Sequence, residues 1–131
     1  MPATYTIDPE KRVVLSAARG VFTMEDALMQ INQLLADPRF NSGYGQLLDF
    51  SEVATVNLTP SQIKRLAEYN LFSPSSRRAF VSPTPLLYSL ARMYAARREM
   101  QGDTGIAIFE TLQEARTWLG LDPEIPRPMR V

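Results

Sequence analysis

The residues of this chain that could do chemistry are concentrated in one stretch, LLDFSEVATVNLTP, between Leu47 and Pro60. Asp49 and Glu52 supply two carboxylates at the end of an apolar run, and Thr59 supplies a hydroxyl directly before a proline. Paired carboxylates can act as general acid and base, and a hydroxyl at a helix start can be phosphorylated. The sequence shows no phosphate-binding glycine loop, metal-ligand cluster or nucleophile with an identifiable base beside them. We therefore interpret Asp49 as a cap for backbone amides.

The composition excludes the commonest catalytic chemistries. The 131 residues include no Cys and no His. Their absence removes disulfides, thiolate nucleophiles, iron–sulfur clusters, the imidazole base and most catalytic zinc sites. The sequence therefore predicts a protein that is not an enzyme and that needs no metal or cofactor.

Length and hydropathy predict one domain. A chain of 131 residues with 45% hydrophobic and 21% charged residues is typical of a single globular domain. We expect this domain to cover residues 1–120 and the proline-rich segment 121–131 to form an extended tail. The start of the sequence shows no secretory signal, and no window approaches the length of a membrane-spanning helix. We therefore expect a cytoplasmic protein that does not span a membrane.

Runs of β-branched and aromatic residues predict five strands. Residues 3–8 and 12–19 are expected to pair as a hairpin through the turn at Pro9, with Gly20 ending the second strand. Residues 46–50 are apolar enough for a short buried central strand, which a polar connection follows. Two further strands are predicted at residues 77–82 and 105–109.

Four segments with apolar residues at helical spacing follow the second to fifth strands. The second of these helices is expected to run from about residue 60 to residue 71. The order β-β-α-β-α-β-α-β-α predicts an α/β fold with a mixed, largely parallel five-stranded sheet and four helices. Each predicted helix begins directly after a threonine, namely Thr23, Thr59, Thr84 and Thr111.

Thr59 has two interpretations. A threonine N-cap accepts a backbone hydrogen bond worth about 1 kcal/mol, and a proline at the next position wastes no donor. Because the chain places threonine before all four helices, capping alone explains Thr59. The alternative is a regulatory hydroxyl, since the end of a central parallel strand and the start of the next helix border the crevice in which open α/β sheets bind ligands.

The pattern over about residues 4–119 resembles the STAS family, the sulfate-transporter and anti-sigma-factor-antagonist domains with a SpoIIAA-like fold. It resembles in particular the bacterial STAS-like branch that is compared with CRAL-TRIO lipid-binding domains. The resemblance rests on the element order and on the segments LLDFSEV, RRAFVS and IAIFETLQEARTWL. It implies a SpoIIAA-like fold and a non-enzymatic interaction or regulatory module whose protein partner is a kinase or an anti-sigma-like protein.

The resemblance also points to Thr59. In the antagonists a strand with a terminal Asp leads to a D-S-S-G tetrad whose second Ser is phosphorylated. Counted from Asp49, this tetrad falls on NLTP, so Thr59 takes the place of the phosphorylated Ser and Asn57 that of the acidic residue. Leu58 and Pro60 replace the first Ser and the Gly, so the chain keeps a hydroxyl and departs from the rest of the motif.

Positive charge is concentrated in one part of a chain whose formal charge is zero. Residues 64–98 hold seven cations against one anion, which gives +6 there and leaves −6 for the remainder. Arg77, Arg78 and Arg92 are therefore candidate contacts for an anion or a partner, and scattered arginines on solvated helix faces are the alternative. Zero net charge and the lack of an aromatic–basic motif argue against nucleic-acid binding.

The third helix carries a mixed face that includes Tyr88 and Met93 beside Arg92. Aromatic residues, Met and Arg suit partner surfaces, so this face is a candidate for a protein partner or a homodimer. A solvated helix whose side chains are only partly buried is the alternative.

An apolar pocket beneath the second and third helices is a further candidate site for a lipid or small anionic ligand. This possibility makes a binding protein for an amphipathic anion the alternative function. Aromatic residues at helical spacing also fill ordinary cores, which is the competing interpretation. The expected lining residues are Tyr69, Phe72, Leu86 and Tyr94, with Arg77 and Arg78 at the rim.

Overall fold

A mixed five-stranded sheet with four helices organises residues 3–121, the part of the chain that this computed structural model describes. The element order is the predicted one. Within this range no helix combines the length and the hydropathy that crossing a bilayer requires. Residues 122–131 of the predicted tail lie outside the described residues. The bounds are β1 Ala3–Asp8, β2 Val13–Thr23, α1 Met24–Ala36, β3 Gly45–Asn57, α2 Pro60–Leu66, β4 Arg78–Val81, α3 Pro85–Glu99, β5 Ile106–Phe109 and α4 Leu112–Trp118.

The strands lie side by side in chain order, from β1 to β5. β1 pairs antiparallel with β2, whereas the other three pairings are parallel. A short turn suffices for the antiparallel pair, and each parallel pair is connected through a helix, as parallel strands require. The predicted α/β class with a largely parallel five-stranded sheet is therefore confirmed.

The two sides of the sheet have different coverings, because alternate residues of a strand face opposite sides. On the side that we call the α4 face, Leu47 of β3 and Ala79 of β4 pack against Ala115 of α4. On the opposite side, the three-helix face, Val14 of β2 packs against Leu34 of α1. Helices α2 and α3 pack on each other and cover the rest of the three-helix face.

All four predicted threonine caps are present. The side chain of each threonine accepts a hydrogen bond from the backbone amide three residues later, as an N-cap does. Thr23 and Thr59 form complete capping boxes, in which the side chain of Asp26 or Gln62 accepts a bond from the threonine amide. The capping interpretation of Thr59 is therefore confirmed.

Strands β2 and β3 are longer than predicted. The prediction that Gly20 ends the second strand is wrong, because Gly20 adopts a φ of 66° at a shift in register and the strand continues to Thr23. The polar connection predicted after residue 50 is also strand as far as Asn57. These residues pair with the end of β2 beyond the last β4 pairing, where polar side chains reach solvent.

Helix α2 is shorter than predicted. It ends at Leu66 and not near residue 71. The reason lies in α3, since Arg98 Nη1 donates to the carbonyl oxygens of Ala67 at 3.0 Å and Tyr69 at 3.1 Å. The Gln101 side chain also donates to the Ala67 carbonyl, at 3.0 Å. These carbonyls accept hydrogen bonds from side chains, so the chain can leave the helix without leaving them unpaired.

Candidate functional site

A largely apolar cavity of about 160 Å³ lies on the three-helix face, between the sheet and helices α1, α2 and α3. Leu48 of β3 and Phe80 of β4 line it from the sheet, and Leu87, Leu90 and Tyr94 line it from α3. Protein interiors otherwise contain few voids larger than a water molecule. This space opens in part to solvent, and its largely apolar lining makes it the main candidate site.

Small side chains on two facing elements leave this space open. Ala18 of β2 and Ala91 of α3 line the cavity and are buried. A larger aliphatic side chain at either position would extend into the gap between helix and sheet. Substitution of either alanine by a larger residue is therefore a way to fill the cavity.

Two glutamines add polar groups to the lining. Gln30 Nε2 donates to the Thr4 carbonyl at 3.3 Å, and Gln46 Nε2 donates to Ser16 Oγ at 3.4 Å. Both glutamines line the cavity and both are buried. The walls thus combine apolar surface with a few oriented polar groups, as is usual in small-molecule sites.

Two arginines and an aspartate, which we call the Arg–Asp–Arg cluster, lie buried at the cavity. Arg78 Nη1 donates to Asp103 Oδ2 at 2.8 Å, and Arg78 Nη2 donates to Asp103 Oδ1. Arg98 Nε donates to Asp103 Oδ2 at 2.9 Å. The three residues are 3%, 1% and 3% exposed in the order Arg78, Asp103, Arg98, and both arginines line the cavity.

Carbonyl oxygens of the surrounding loops bind the same guanidinium groups. Arg78 Nε donates to the Ser76 carbonyl at 3.1 Å, and Arg98 Nη1 donates to Asn70 Oδ1 at 3.0 Å as well as to Ala67 and Tyr69. Charge-assisted hydrogen bonds of this kind are about twice as strong as neutral ones. The cluster therefore joins β4, α3 and the segment after α2 into one rigid wall.

Asp103 is ionised in this setting. Burial alone raises the pKa of the Asp103 carboxyl group, but hydrogen bonds from Arg78, the Gly105 amide and Arg98 outweigh it and hold the pKa below its usual value. Burial raises the pKa of the Tyr94 phenol, and the nearby charges of Arg98 and Arg78 oppose this increase. At neutral pH the cluster therefore holds two positive charges and one negative charge beside a neutral phenol.

The three predicted anion contacts lie in three different places. Arg78 is at the cavity, within the Arg–Asp–Arg cluster. Arg77 lies on the α4 face, where its guanidinium carbon is 4.1 Å from the centroid of the Trp118 ring. Arg92 is exposed on α3. Arg77, Arg78 and Arg92 therefore do not form one surface patch.

Three of the four predicted lining residues are found in the cavity and one is not. Tyr69, Phe72 and Tyr94 line the cavity, whereas Leu86 is 60% exposed and does not. The expectation for Leu86 is wrong because it precedes the buried stripe of α3, which begins at Leu87. Arg98 also lines the cavity, although it was not predicted from the sequence as a site residue.

Thr59, Asn57 and Asp49 have separate local partners. Thr59 Oγ1 accepts from the Gln62 amide at 3.1 Å, and Thr59 is exposed. Asn57 is the last residue of β3 and pairs with Thr23. The Asp49 carboxylate accepts a bond from the Ser51 amide at 2.9 Å. Asp49 therefore binds a backbone amide as expected, although it lies within β3 and not at its end.

The outward side of α3 exposes apolar residues. Tyr88 is 46% exposed and Met93 is 36% exposed, and Arg92 lies near both on the same helix. Leu86 at the start of α3 and Met100 after its end are more exposed still. Tyr88 and Met93 thus remain available as contacts for a partner.

A metal site in this chain would depend on acidic side chains, because the chain has no His and no Cys. Over residues 3–121, three or more acidic side chains nowhere come close enough to form a group that could hold a metal ion. Asp103 already binds the guanidinium groups of two cavity-lining arginines. The candidate site is therefore a largely apolar cavity with a charged wall.

Comparison with known proteins supports the fold. No protein-family profile matches this sequence, and no curated protein matches it. Among solved structures it is similar to an uncharacterised protein of the DUF3478 family with a SpoIIAA-like fold from Shewanella loihica. The TM-score is 0.53 at 21% sequence identity, and the match covers 89% of this chain and 93% of the other. The chain has a SpoIIAA-like fold, as the resemblance to the STAS family implied.

Proposed function

We propose that this protein is a non-enzymatic binding module of STAS-like type that holds a small, largely apolar molecule on its three-helix face. The observation that carries the proposal is the cavity of about 160 Å³ between the sheet and α1, α2 and α3. An enclosed apolar cavity of about 150 Å³ can bind benzene; the space here has a similar volume and opens in part to solvent. The space here is therefore sufficient for a benzene-sized group.

The energetics favour occupation by an apolar group. Transfer of apolar surface out of water contributes about 25 cal/mol per Å², and a preformed cavity avoids the cost of opening one. The side chains around an empty cavity also lack dispersion partners on one side, and a bound molecule restores those contacts. Ala91 and Leu90 of α3 would contact such a molecule directly.

The test uses two matched substitutions on α3. Ala91→Leu fills the cavity, whereas Ala96→Leu adds the same side chain at an exposed position of the same helix. Toluene is added to each protein, and binding is followed through the thermal unfolding midpoint and NMR shifts. Toluene at about 100 times its Kd would stabilise a binding-competent protein by about 2.7 kcal/mol.

We expect toluene to stabilise the wild-type protein and the Ala96→Leu variant but not the Ala91→Leu variant. Equal responses of the two variants, or no response of the wild type, would contradict the proposal. Native mass spectrometry of protein purified from its own cells adds an independent check, because a resident ligand would appear as a mass increment that Ala91→Leu removes.

A regulated protein-interaction module is the second candidate function. It is favoured by the exposure of both Thr59 and Pro60, which leaves the Thr59 hydroxyl accessible to a kinase. A phosphate on Thr59 would replace its hydrogen bond to the Gln62 amide and add negative charge. The exposed face of α3 around Tyr88 and Met93 would then serve a protein partner or a second copy of the chain.

Two measurements decide this second candidate. Intact mass and phosphopeptide analysis of protein from its native cells would show a phosphate on Thr59 in at least one growth state. Light scattering would show a dimer that Met93→Glu converts to a monomer if α3 joins two copies. An unmodified Thr59 in all growth states eliminates the phosphorylation component, and a monomer at high concentration eliminates the homodimer.

A further inference from the structure

Among residues 3–121, the Arg–Asp–Arg cluster leaves one positive charge without a charged partner. Arg78 and Arg98 contribute two cations and Asp103 one anion, and all three residues are at least nine-tenths buried. A buried charge costs several kcal/mol unless it is paired and hydrogen-bonded. Carbonyl groups stabilise part of this excess charge, but they carry only partial charges.

The hydrogen bonds of Arg98 show which donors are not used. Its Nε bonds Asp103, and its Nη1 bonds Ala67, Tyr69 and Asn70. Its Nη2 donates none of the hydrogen bonds found within residues 3–121, although it carries two N–H groups. Since Arg98 lines the cavity, its guanidinium group can donate a further hydrogen bond there.

We infer that the ligand of this cavity is a monoanion, a carboxylate on a small apolar body, and that Arg98 binds its carboxylate. The inference rests on the proposed function, since it concerns the same cavity. A single negative charge balances the single excess positive charge of the cluster, whereas a phosphate dianion would introduce a new imbalance. A carboxylate also matches the planar guanidinium group better than other small anions do.

The apolar body of the ligand would contact apolar side chains that line the same cavity. Leu48 and Leu90 line that space, together with the ring of Phe80. A neutral ligand would leave the excess charge of the cluster uncompensated, and a cation would be repelled by it. The cavity therefore selects against amines, and it favours carboxylates over amides of the same shape.

The experiment compares isosteric ligands with the wild-type protein, so that it does not depend on a variant that folds. Benzoate is matched with benzamide, hexanoate with hexanamide, and toluene serves as the neutral apolar reference. Binding is measured by calorimetry at low salt and by NMR, in which the Arg98 Nε–H signal and the methyl signals of Leu90 are followed.

We expect each carboxylate to bind at least about tenfold more tightly than its amide, as a charge-assisted bond in a buried site provides. We also expect the Arg98 and Leu90 signals to shift together. If the amides bind as tightly as the carboxylates, the inference about charge is wrong and the proposed function stands. If neither carboxylates, amides nor toluene bind, both are wrong.

A pair of arginine variants locates the anion. Arg98→Gln removes the proposed carboxylate donor, and Arg92→Gln removes an exposed arginine from the same helix as the control. We expect Arg98→Gln to remove the preference for benzoate over benzamide and Arg92→Gln to leave it unchanged. Should Arg98→Gln fail to fold, the wild-type comparison still decides. Loss of the preference in Arg92→Gln would show that the anion binds on the surface of α3 and would overturn the inference.

Discussion

The two faces of the same sheet are built on different principles. On the α4 face, Leu47, Ala79 and Val81 pack against Ala115. On the three-helix face, the alternating residues of the same strands line a cavity and include buried Gln46 and Arg78. The α4 face therefore contains a packed apolar cluster, whereas the three-helix face leaves an open space and contains buried polar side chains.

Loss of Asp103 is expected to produce the largest effect, because it leaves two buried arginines without an anion. Asp103→Asn should lower the free energy of unfolding by about 3–5 kcal/mol. The matched control is Glu52→Gln, since Glu52 lies 4.0 Å from Arg19 in an ion pair that is exposed to solvent. The control should change stability by less than about 0.5 kcal/mol. Urea unfolding measures both, and a similar small change in both variants would show that the cluster is not buried as described.

Substitution of Leu47 and of Leu48 allows the packing of the two faces to be compared directly. Leu47 lies in the close-packed cluster of the α4 face and Leu48 lines the cavity on the other side. Leu47→Ala should cost about 2–5 kcal/mol, and Leu48→Ala roughly half as much, because its side chain already lacks neighbours on the cavity side. Urea unfolding of the two variants tests this, and a larger cost for Leu48→Ala would contradict the difference between the faces.

Acidic pH is expected to lower the free energy of unfolding, because it protonates Asp103. The pKa of Asp103 in the folded state is below the ordinary value of 3.8, so the unfolded state binds the proton more readily. The contribution of Asp103 to stability is therefore fully present above about pH 4 and is lost as the pH falls further. NMR of the carboxyl carbons between pH 6 and pH 2 should show Asp103 titrating below 3.8. A midpoint above that value would mean that burial outweighs the hydrogen bonds from the arginines.

The smallest effect is expected at the helix caps, and it should be equal on the two faces. Thr59 caps α2 on the three-helix face, and Thr111 caps α4 on the opposite face; both are exposed. Thr59→Ala and Thr111→Ala should each cost about 1 kcal/mol, and serine at either position should restore most of it. A clearly larger loss at Thr59 in urea unfolding would indicate that this residue does more than cap its helix.

The element order and the threonine caps could be predicted because both depend on local sequence. Thr59 before Pro60, and the capping-box spacing to Gln62, specify a helix start wherever the segment lies. The extent of β2 and β3 could not be predicted in the same way. Residues 51–57 alone are polar enough for a loop, and they form a strand because β2 passes Gly20 and pairs with them.

The candidate site could not be predicted in full, because it depends on tertiary contacts that no local sequence pattern specifies. The helical spacing of Leu87, Ala91 and Tyr94 extends to Arg98, so the sequence contained a signal that this arginine lies on the buried side of α3. Nothing local indicated that Asp103 would meet Arg78, which lies 25 residues earlier in the chain. The size of the cavity likewise depends on how three helices pack together, which spacing along one helix cannot give.

The most direct test of the cavity is diffraction from a crystal of the protein under xenon pressure, because xenon binds in apolar cavities of this size. We expect one strong xenon peak on the three-helix face, in contact with Phe80 and Leu90, and none on the α4 face. A crystal without a peak at that position, or with xenon among Leu47, Val81 and Ala115 instead, would contradict this expectation.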